Sequence, residues 1–336
     1  MAGVAVVTGG SAGIGLATAR RLAERGWSVA LIAREPARLE EAAASITARG
    51  ARVLAIPADA SDAAAIDAAA ERIEATLGPI RAWINNAMST IVGPADKIGP
   101  DEYRRVTETT YLSAVHGTLA ALRHMKPRGR GAIVQVSSGL AIRAAPLQAP
   151  YCAAKAAVGG FTDALRAELI HERVGVSLSV VYLPAVNTPQ FDWSRTRTGR
   201  NQVAPDPVFS PALCAEAIVG AVESPQREIW VGRSTLMMAA AQAIAPGFAD
   251  RKAAEAWDSQ LSDGAMPDRK GNLFEPVPGP AATEGRFGDR EKPTRTEFWT
   301  SRERDLLMLG VAGSVFLGSA AVAGLLSAPR RLLRGR

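Results

Sequence analysis

Apolar residues along the chain gather in short runs separated by longer stretches of mixed spacing. The runs at 3–8, 28–33, 52–57, 80–85, 131–137, 176–182 and 228–232 are rich in Val, Ile and Ala and are bounded by Gly, Pro or polar residues, as buried strands are. Helical patterns at 13–25, 36–49, 62–77, 101–125, 150–172 and 211–223 fall between them. This alternation predicts an α/β fold with a parallel sheet covered on both faces, because parallel neighbours need crossovers and each crossover helix buries one face. After the sixth strand, 187–210 is polar, Pro-containing and aperiodic, which predicts a long loop of the kind that carries function.

Further on, the pattern fails and then changes character. Residues 264–300 contain Pro267, Pro276, Pro278, Pro280 and Pro293 among several glycines and read as a linker; a flexible segment of that length spans about 30–35 Å. From Leu306 to Pro329 no residue is charged, and the first 21 residues, LLMLGVAGSVFLGSAAVAGLL, predict a helix about 31 Å long that matches a bilayer core. Gly310, Ser314 and Gly318 recur every four residues there, a spacing that lets helices approach closely but arises easily in so Gly- and Ala-rich a segment. The expected organisation is one α/β domain over 1–245, a polar extension and linker over 246–300, and a transmembrane helix with a basic tail over 301–336.

Composition narrows the classes. With 336 residues, 47% of them hydrophobic, the chain holds one large α/β domain and an appendage. The net charge of +6 falls to about +2 once Arg330, Arg331, Arg334 and Arg336 are set aside, and no basic stripe with interleaved aromatics remains, so a nucleic-acid partner is not expected. Cys152 and Cys214 are the two cysteines; they make neither a disulfide framework nor a metal-ligand spacing, and they fit a reducing compartment. Basic residues flank the apolar segment almost equally, five before and four after, so orientation rests on the first strand beginning at the N-terminus. That arrangement leads us to expect membrane anchoring through 306–326 with the α/β domain facing the cytoplasm.

Two stretches carry the chemistry. VAVVT runs into GGSAGIG and then into LATARRLAERG, a strand, a glycine turn and a helix whose N-terminus suits a pyrophosphate. Gly9 supplies the turn, Gly13 admits close backbone approach, and Gly15 lets helix and strand pack. Farther along, Tyr151 and Lys155 stand four residues apart in YCAAK, with Ser138 closing the apolar run AIVQVS. At that spacing the phenol and the ammonium share a helix face, and the ammonium favours the phenolate, lowering the tyrosine pKa. With Ser138 binding the same oxygen, the set suits hydride transfer to or from a carbonyl. Arg34, ending VALIAR where an acidic residue would select NAD, suits the 2′-phosphate of NADP(H), and Ser11 offers a second donor.

The T-G-x-x-x-G-x-G turn followed by a Ser and Tyr-x-x-x-Lys resembles the short-chain dehydrogenase/reductase family, with motifs in the same order across about residues 1–235. The resemblance implies a Rossmann-like, doubly wound seven-stranded sheet with the cofactor at the carboxyl ends of the strands. It assigns Gly9, Ser11, Gly13, Ile14, Gly15, Arg34, Asp59, Ala60, Asn86, Tyr151, Lys155, Pro184, Val186 and Thr188 to the cofactor, and Ser138, Tyr151 and Lys155 to catalysis. Met88 and Ala185 stand where the family carries glycine. Thr110 stands where the family often carries an Asn that holds a relay water. The family closes the 187–210 region over substrate, which makes Phe191, Trp193 and Phe209 lid or pocket candidates, and it commonly pairs through the helix carrying Tyr151, which implies a homo-oligomer. The expected function is a membrane-anchored NADP(H)-dependent oxidoreductase interconverting a carbonyl and an alcohol on an apolar or lipid-like substrate; a catalytically weak NADP(H)-binding sensor or scaffold at a membrane is the alternative.

Overall fold

The computed structural model describes residues 3–294, 296–303, 306 and 309. Its frame is a sheet of β1 (Val4–Thr8), β2 (Ser28–Ala33), β3 (Val53–Pro57), β4 (Ile80–Asn85), β5 (Gly131–Ser138), β6 (Val176–Leu183), β7 (Glu228–Val231) and β8 (Phe298–Thr300), ordered β8-β7-β6-β5-β4-β1-β2-β3. The first seven strands run parallel. Chain order reverses between β1 and β4, and this switch point opens a crevice at the carboxyl ends of the strands.

Strand alternation divides the core. Ala5 and Val7 of β1 point into one cluster, with Leu16, Ala19 and Leu22 of α1 (Gly13–Glu24), Leu39, Ala42 and Ile46 of α2 (Pro36–Thr47), and Leu213 and Ile218 of a late helix, Pro211–Glu223. Val4 and Val6 point into the other, with Ile66 and Ile73 of α3 (Ala63–Leu77), Ala121 and Met125 of Ser113–Met125, and Leu165 and Leu169 of Ala149–His171. The last two are α5 and α6, and the late helix is α7. Side chains that leave a strand on opposite faces thus bury both faces at once. Helix starts are set by short polar caps: Glu35 accepts from the amides of Ala37 and Arg38, Asp62 from Ala65, and Ser210 from Leu213, each satisfying a donor the first turn leaves unpaired. The helix predicted over 101–125 is broken into α4 (Pro100–Thr107), a wide turn over Glu108–Leu112, and α5.

The structure departs from expectation mainly after residue 230. The sheet has eight strands, not seven; β8 pairs antiparallel with β7, Val231 opposite Phe298 and Ile229 opposite Thr300. Two helices, α8 (Arg233–Ile244) and α9 (Pro246–Glu255), follow β7. α8 carries no apolar stripe, and α9 is short, polar overall and opened by Pro246 and Gly247, so neither stands out from the sequence pattern. The expected linker is docked on the domain: Leu273 and Phe287 are buried, and 261–265 pairs with 200–202. Its Pro and Gly content rules out helices and long strands but does not prevent an extended chain from meeting its backbone partners elsewhere. The predicted membrane span over 306–326 and the basic tail lie, apart from Leu306 and Leu309, outside the described residues. Among the described residues no helix is long and apolar enough to cross a membrane.

Candidate active site

The glycine turn between β1 and α1 is shaped by backbone crowding. Gly9 sits at φ +67°, and a Cβ on Gly15 would lie 2.2 Å from the Gly9 carbonyl oxygen and 2.6 Å from Asn86 Nδ2. Only a residue without a side chain lets helix and turn come this close. Asn86 fastens the arrangement, donating from Nδ2 to the carbonyls of Thr8 at 3.0 Å and Gly9 at 3.2 Å. The turn opens into a cavity of about 570 Å³ lined by Gly9, Ser11, Gly13, Ile14, Asn86 and Thr188 at one end and by Ser138, Tyr151 and Lys155 deeper in. Arg34, Asp59, Ala60, Pro184 and Val186 also line it. Of the residues expected to hold cofactor, Gly15 alone is absent from the lining, because it packs behind the turn against Gly9 and Asn86.

At the adenosine end, Arg34 and Arg38 point to the rim without a carboxylate at ion-pair distance among the described residues. Asp59 is committed elsewhere, accepting from Arg105 and from the Ser61 amide and hydroxyl at 2.9 and 2.7 Å. Burial alone would raise the Asp59 pKa, but these donors hold it below the usual carboxylate range. Desolvation weighs against the Arg34 charge, and the Asp59 field only partly offsets it. Arg38 stacks 4.3 Å over the Trp193 ring; it lies in the first turn of α2, four residues after Arg34.

At the catalytic end, Ser138 closes β5 and α6 carries Tyr151 and Lys155 on one face. Lys155 is buried and donates from Nζ to the Val136 carbonyl at 2.7 Å, and its Nζ lies 5.8 Å from the Tyr151 ring centre. Burial lowers the Lys155 pKa to about 8. The expectation that Lys155 depresses the Tyr151 pKa is not met in this structure. Burial of the phenol raises that pKa, with hydrogen bonding to Ser138 as the opposing influence, because desolvation of a phenolate outweighs an ammonium committed to a backbone carbonyl. The Tyr151 ring nevertheless keeps partial exposure to the cavity.

Other candidates separate. Thr110 is buried, donates to the Ser89 carbonyl at 2.8 Å and accepts from the Ser89 amide at 3.3 Å; its hydroxyl braces the 89–90 turn and does not face the cavity, which its neighbour Thr109 lines. The wide helical turn over Glu108–Leu112 sets this difference. Ala185 and Met88 adopt no positive φ, so neither strains the backbone where the resemblance expects glycine. Phe191 and Trp193 line the cavity, whereas Phe209 is in the core beneath Gly232 and Lys292. The 187–210 loop is held in place, with Arg195 and Arg197 converging on the buried carboxylate of Glu102. The chamber around Ser138 and Tyr151 is mainly apolar, walled by Leu140, Ala145, Met238, Ala241 and Ala253, several of them on the unpredicted α8 and α9, with Arg143, Gln148, Lys252 and Gln260 among its polar members.

The family described as short chain dehydrogenase matches residues 3–198. The chain is 31% identical over 250 residues to an uncharacterized oxidoreductase, YxnA, of Bacillus subtilis, covering 74% of this chain and 70% of that one. It is 34% identical over 227 residues to a fatty acyl-CoA reductase of Acinetobacter baylyi, covering 67% and 74%. It is also 29% identical over 252 residues to the ketoacyl reductase HetN of a Nostoc species, covering 73% and 86%. A short chain dehydrogenase from Bacillus anthracis, solved by crystallography, superposes with a TM-score of 0.53 at 26% identity, over 55% of this chain and 77% of that one. Together with the site these matches make the protein an oxidoreductase that uses a nicotinamide dinucleotide: the chain belongs to the short-chain dehydrogenase family.

Proposed function

We propose that the protein interconverts a carbonyl and an alcohol on an apolar, lipid-like molecule and prefers NADP(H). The observation that carries this reading is that one cavity joins the glycine turn and Arg34 to Ser138 and Tyr151 within a mainly apolar chamber. The residues fit the dinucleotide, since the close approach at Gly15 keeps the turn clear of side chains and Arg34 and Arg38 suit a 2′-phosphate. Bound nicotinamide supplies or accepts the hydride. In reduction the Tyr151 hydroxyl gives its proton to the carbonyl oxygen, and Ser138 hydrogen-bonds the same oxygen as charge grows on it. In oxidation Tyr151 takes the proton back. Lys155, held by the Val136 carbonyl, keeps its Nζ 5.8 Å from the Tyr151 ring centre, where it can orient the phenol and the bound dinucleotide.

The fatty acyl-CoA and ketoacyl reductase relatives favour an acyl-chain substrate, and the apolar stretch 306–326 favours a site of action at the cytoplasmic face of a membrane. The test is turnover of NADPH and of NADH with long-chain aldehydes, ketones and acyl thioesters. Tyr151→Phe should bind NADPH as the parent does yet lose turnover by about 10²-fold or more. Equal kcat/KM with both dinucleotides, or a Tyr151→Phe variant that still turns over, would sink the proposal. Recovery of the full-length protein in a salt-washed soluble fraction would remove its membrane part.

A further inference from the structure

Residues 269–287 lie outside the stretch matched to the family and form an extended strap along the adenosine rim of the cavity. The strap meets the site through backbone oxygens. Asn272 O and Phe274 O accept from Arg34 Nη2 and Nη1 at 2.6 and 2.9 Å, and Val277 O accepts from Arg38 Nη1 at 2.8 Å. Ala282 O accepts from the Gly13 amide at 2.8 Å, at the N-terminus of α1. These are the cations and the helix-end amide that the cavity offers to anionic groups at this end, and each holds a neutral carbonyl instead.

The strap is anchored independently of those contacts. Leu273 is fully buried beside Ile91, Ile98 and Val106, the Asn272 amide donates to the Trp193 carbonyl at 2.7 Å, and the Phe287 amide donates to Asn187 at 3.0 Å. Such an arrangement has two stable ways to satisfy Arg34. A phosphate binds a guanidinium through two charge-assisted hydrogen bonds, whereas a pair of carbonyl dipoles offers only neutral acceptors. The phosphate therefore takes Arg34 from the strap.

We propose that the 269–287 strap is a cofactor-responsive latch, docked on Arg34 by its own carbonyls and released from it by the 2′-phosphate of NADP(H). A dinucleotide without that phosphate leaves the Asn272 and Phe274 contacts in place, so the strap distinguishes the two cofactors and gates their exchange. The proposal rests on the NADP(H) reading of Arg34.

Hydrogen exchange on the full-length protein tests it, comparing saturating NADP+, saturating NAD+ and neither, with Kd values measured separately. NADP+ should speed exchange at the Ala281 amide, which donates to Glu41 Oε2 at 2.9 Å within the strap's docked course, by about tenfold or more relative to NAD+, since two hydrogen bonds to a charged group are lost. Equal or slower exchange with NADP+ bound would overturn the latch while leaving the cofactor reading intact. Leu273→Ala, which loosens the anchor without touching Arg34, should tighten NADP+ binding about threefold or more by linkage and tighten NAD+ binding less, since NAD+ displaces only Ala282 O from the Gly13 amide; an unchanged NADP+ Kd would also overturn the latch. Failure of NADP+ to bind either parent or Leu273→Ala would overturn the cofactor reading, and the latch with it.

Discussion

Replacing Lys155 with Met should stabilise the empty protein at neutral pH while removing turnover, and the stabilisation should fade in alkali. The ammonium is buried with one backbone acceptor, Val136 O at 2.7 Å, and burial brings its pKa from 10.5 to about 8. Below pH 8 both folded and unfolded chains carry the proton, so the folded state bears the full cost of the buried charge, about 3 kcal/mol at about 1.4 kcal/mol per pH unit. Between pH 8 and 10.5 the unfolded chain binds the proton and the folded chain does not, so parent stability rises with pH across that window. Methionine has no such dependence, although it leaves the Val136 carbonyl without its partner at a cost of about 1–3 kcal/mol. Urea unfolding of parent and variant at pH 7 and pH 10 reads the difference directly. The parent should gain about 2.5 kcal/mol on the variant between those values. A gap independent of pH would show that Lys155 is not desolvated as described, and a gap that widens in favour of Met would reverse the reasoning.

Other substitutions test the remaining parts of the site. Arg34→Asp should cost NADPH about 10- to 100-fold in kcat/KM and spare NADH, because it removes charge-assisted hydrogen bonds and adds repulsion; parallel losses with both cofactors would argue against a 2′-phosphate at Arg34. Gly15→Ala places a Cβ 2.2 Å from the Gly9 oxygen and should abolish dinucleotide binding at a stability cost of about 1–3 kcal/mol, checked by thermal unfolding beside NADPH fluorescence titration. Glu102, on which Arg195, Arg197 and the Gly99 amide converge, is raised by burial but held below the usual carboxylate range by those donors. Its contribution is present above the unfolded value of about 4.3 and lost as pH falls through the folded one. Glu102→Gln should therefore cost about 2–4 kcal/mol at pH 7 and progressively less as the parent is acidified, which unfolding at pH 7 and pH 4 would show.

Much of the site is legible in the residue order alone, because its parts are local. The glycine turn, Ser138 at a strand end and Tyr151 with Lys155 at one helical turn are each patterns spanning only a few residues, and the periodicity of strands and helices up to residue 223 follows from burial on two faces. Thr110 has the position of a relay, but a wide helical turn decides what its hydroxyl meets. Phe209 has the position of a lid residue and is core, since loop composition does not say which aromatic turns inward.

By itself, then, the sequence determined the parallel α/β frame and the order of its elements and brought forward Ser138, Tyr151 and Lys155 as candidates, all of which rest on short-range spacing and on alternation that any buried sheet imposes. The tertiary structure decided the rest. It decided that burial, not Lys155, governs the Tyr151 phenol, because desolvation depends on every element packed around the ring. It decided that α8 and α9 wall the cavity beside Ser138 and Tyr151. It also decided that 264–300 is no free tether but a strand and a strap, since backbone oxygens carry no signature in sequence and Arg34 meets Asn272 and Phe274 across some 240 residues of chain.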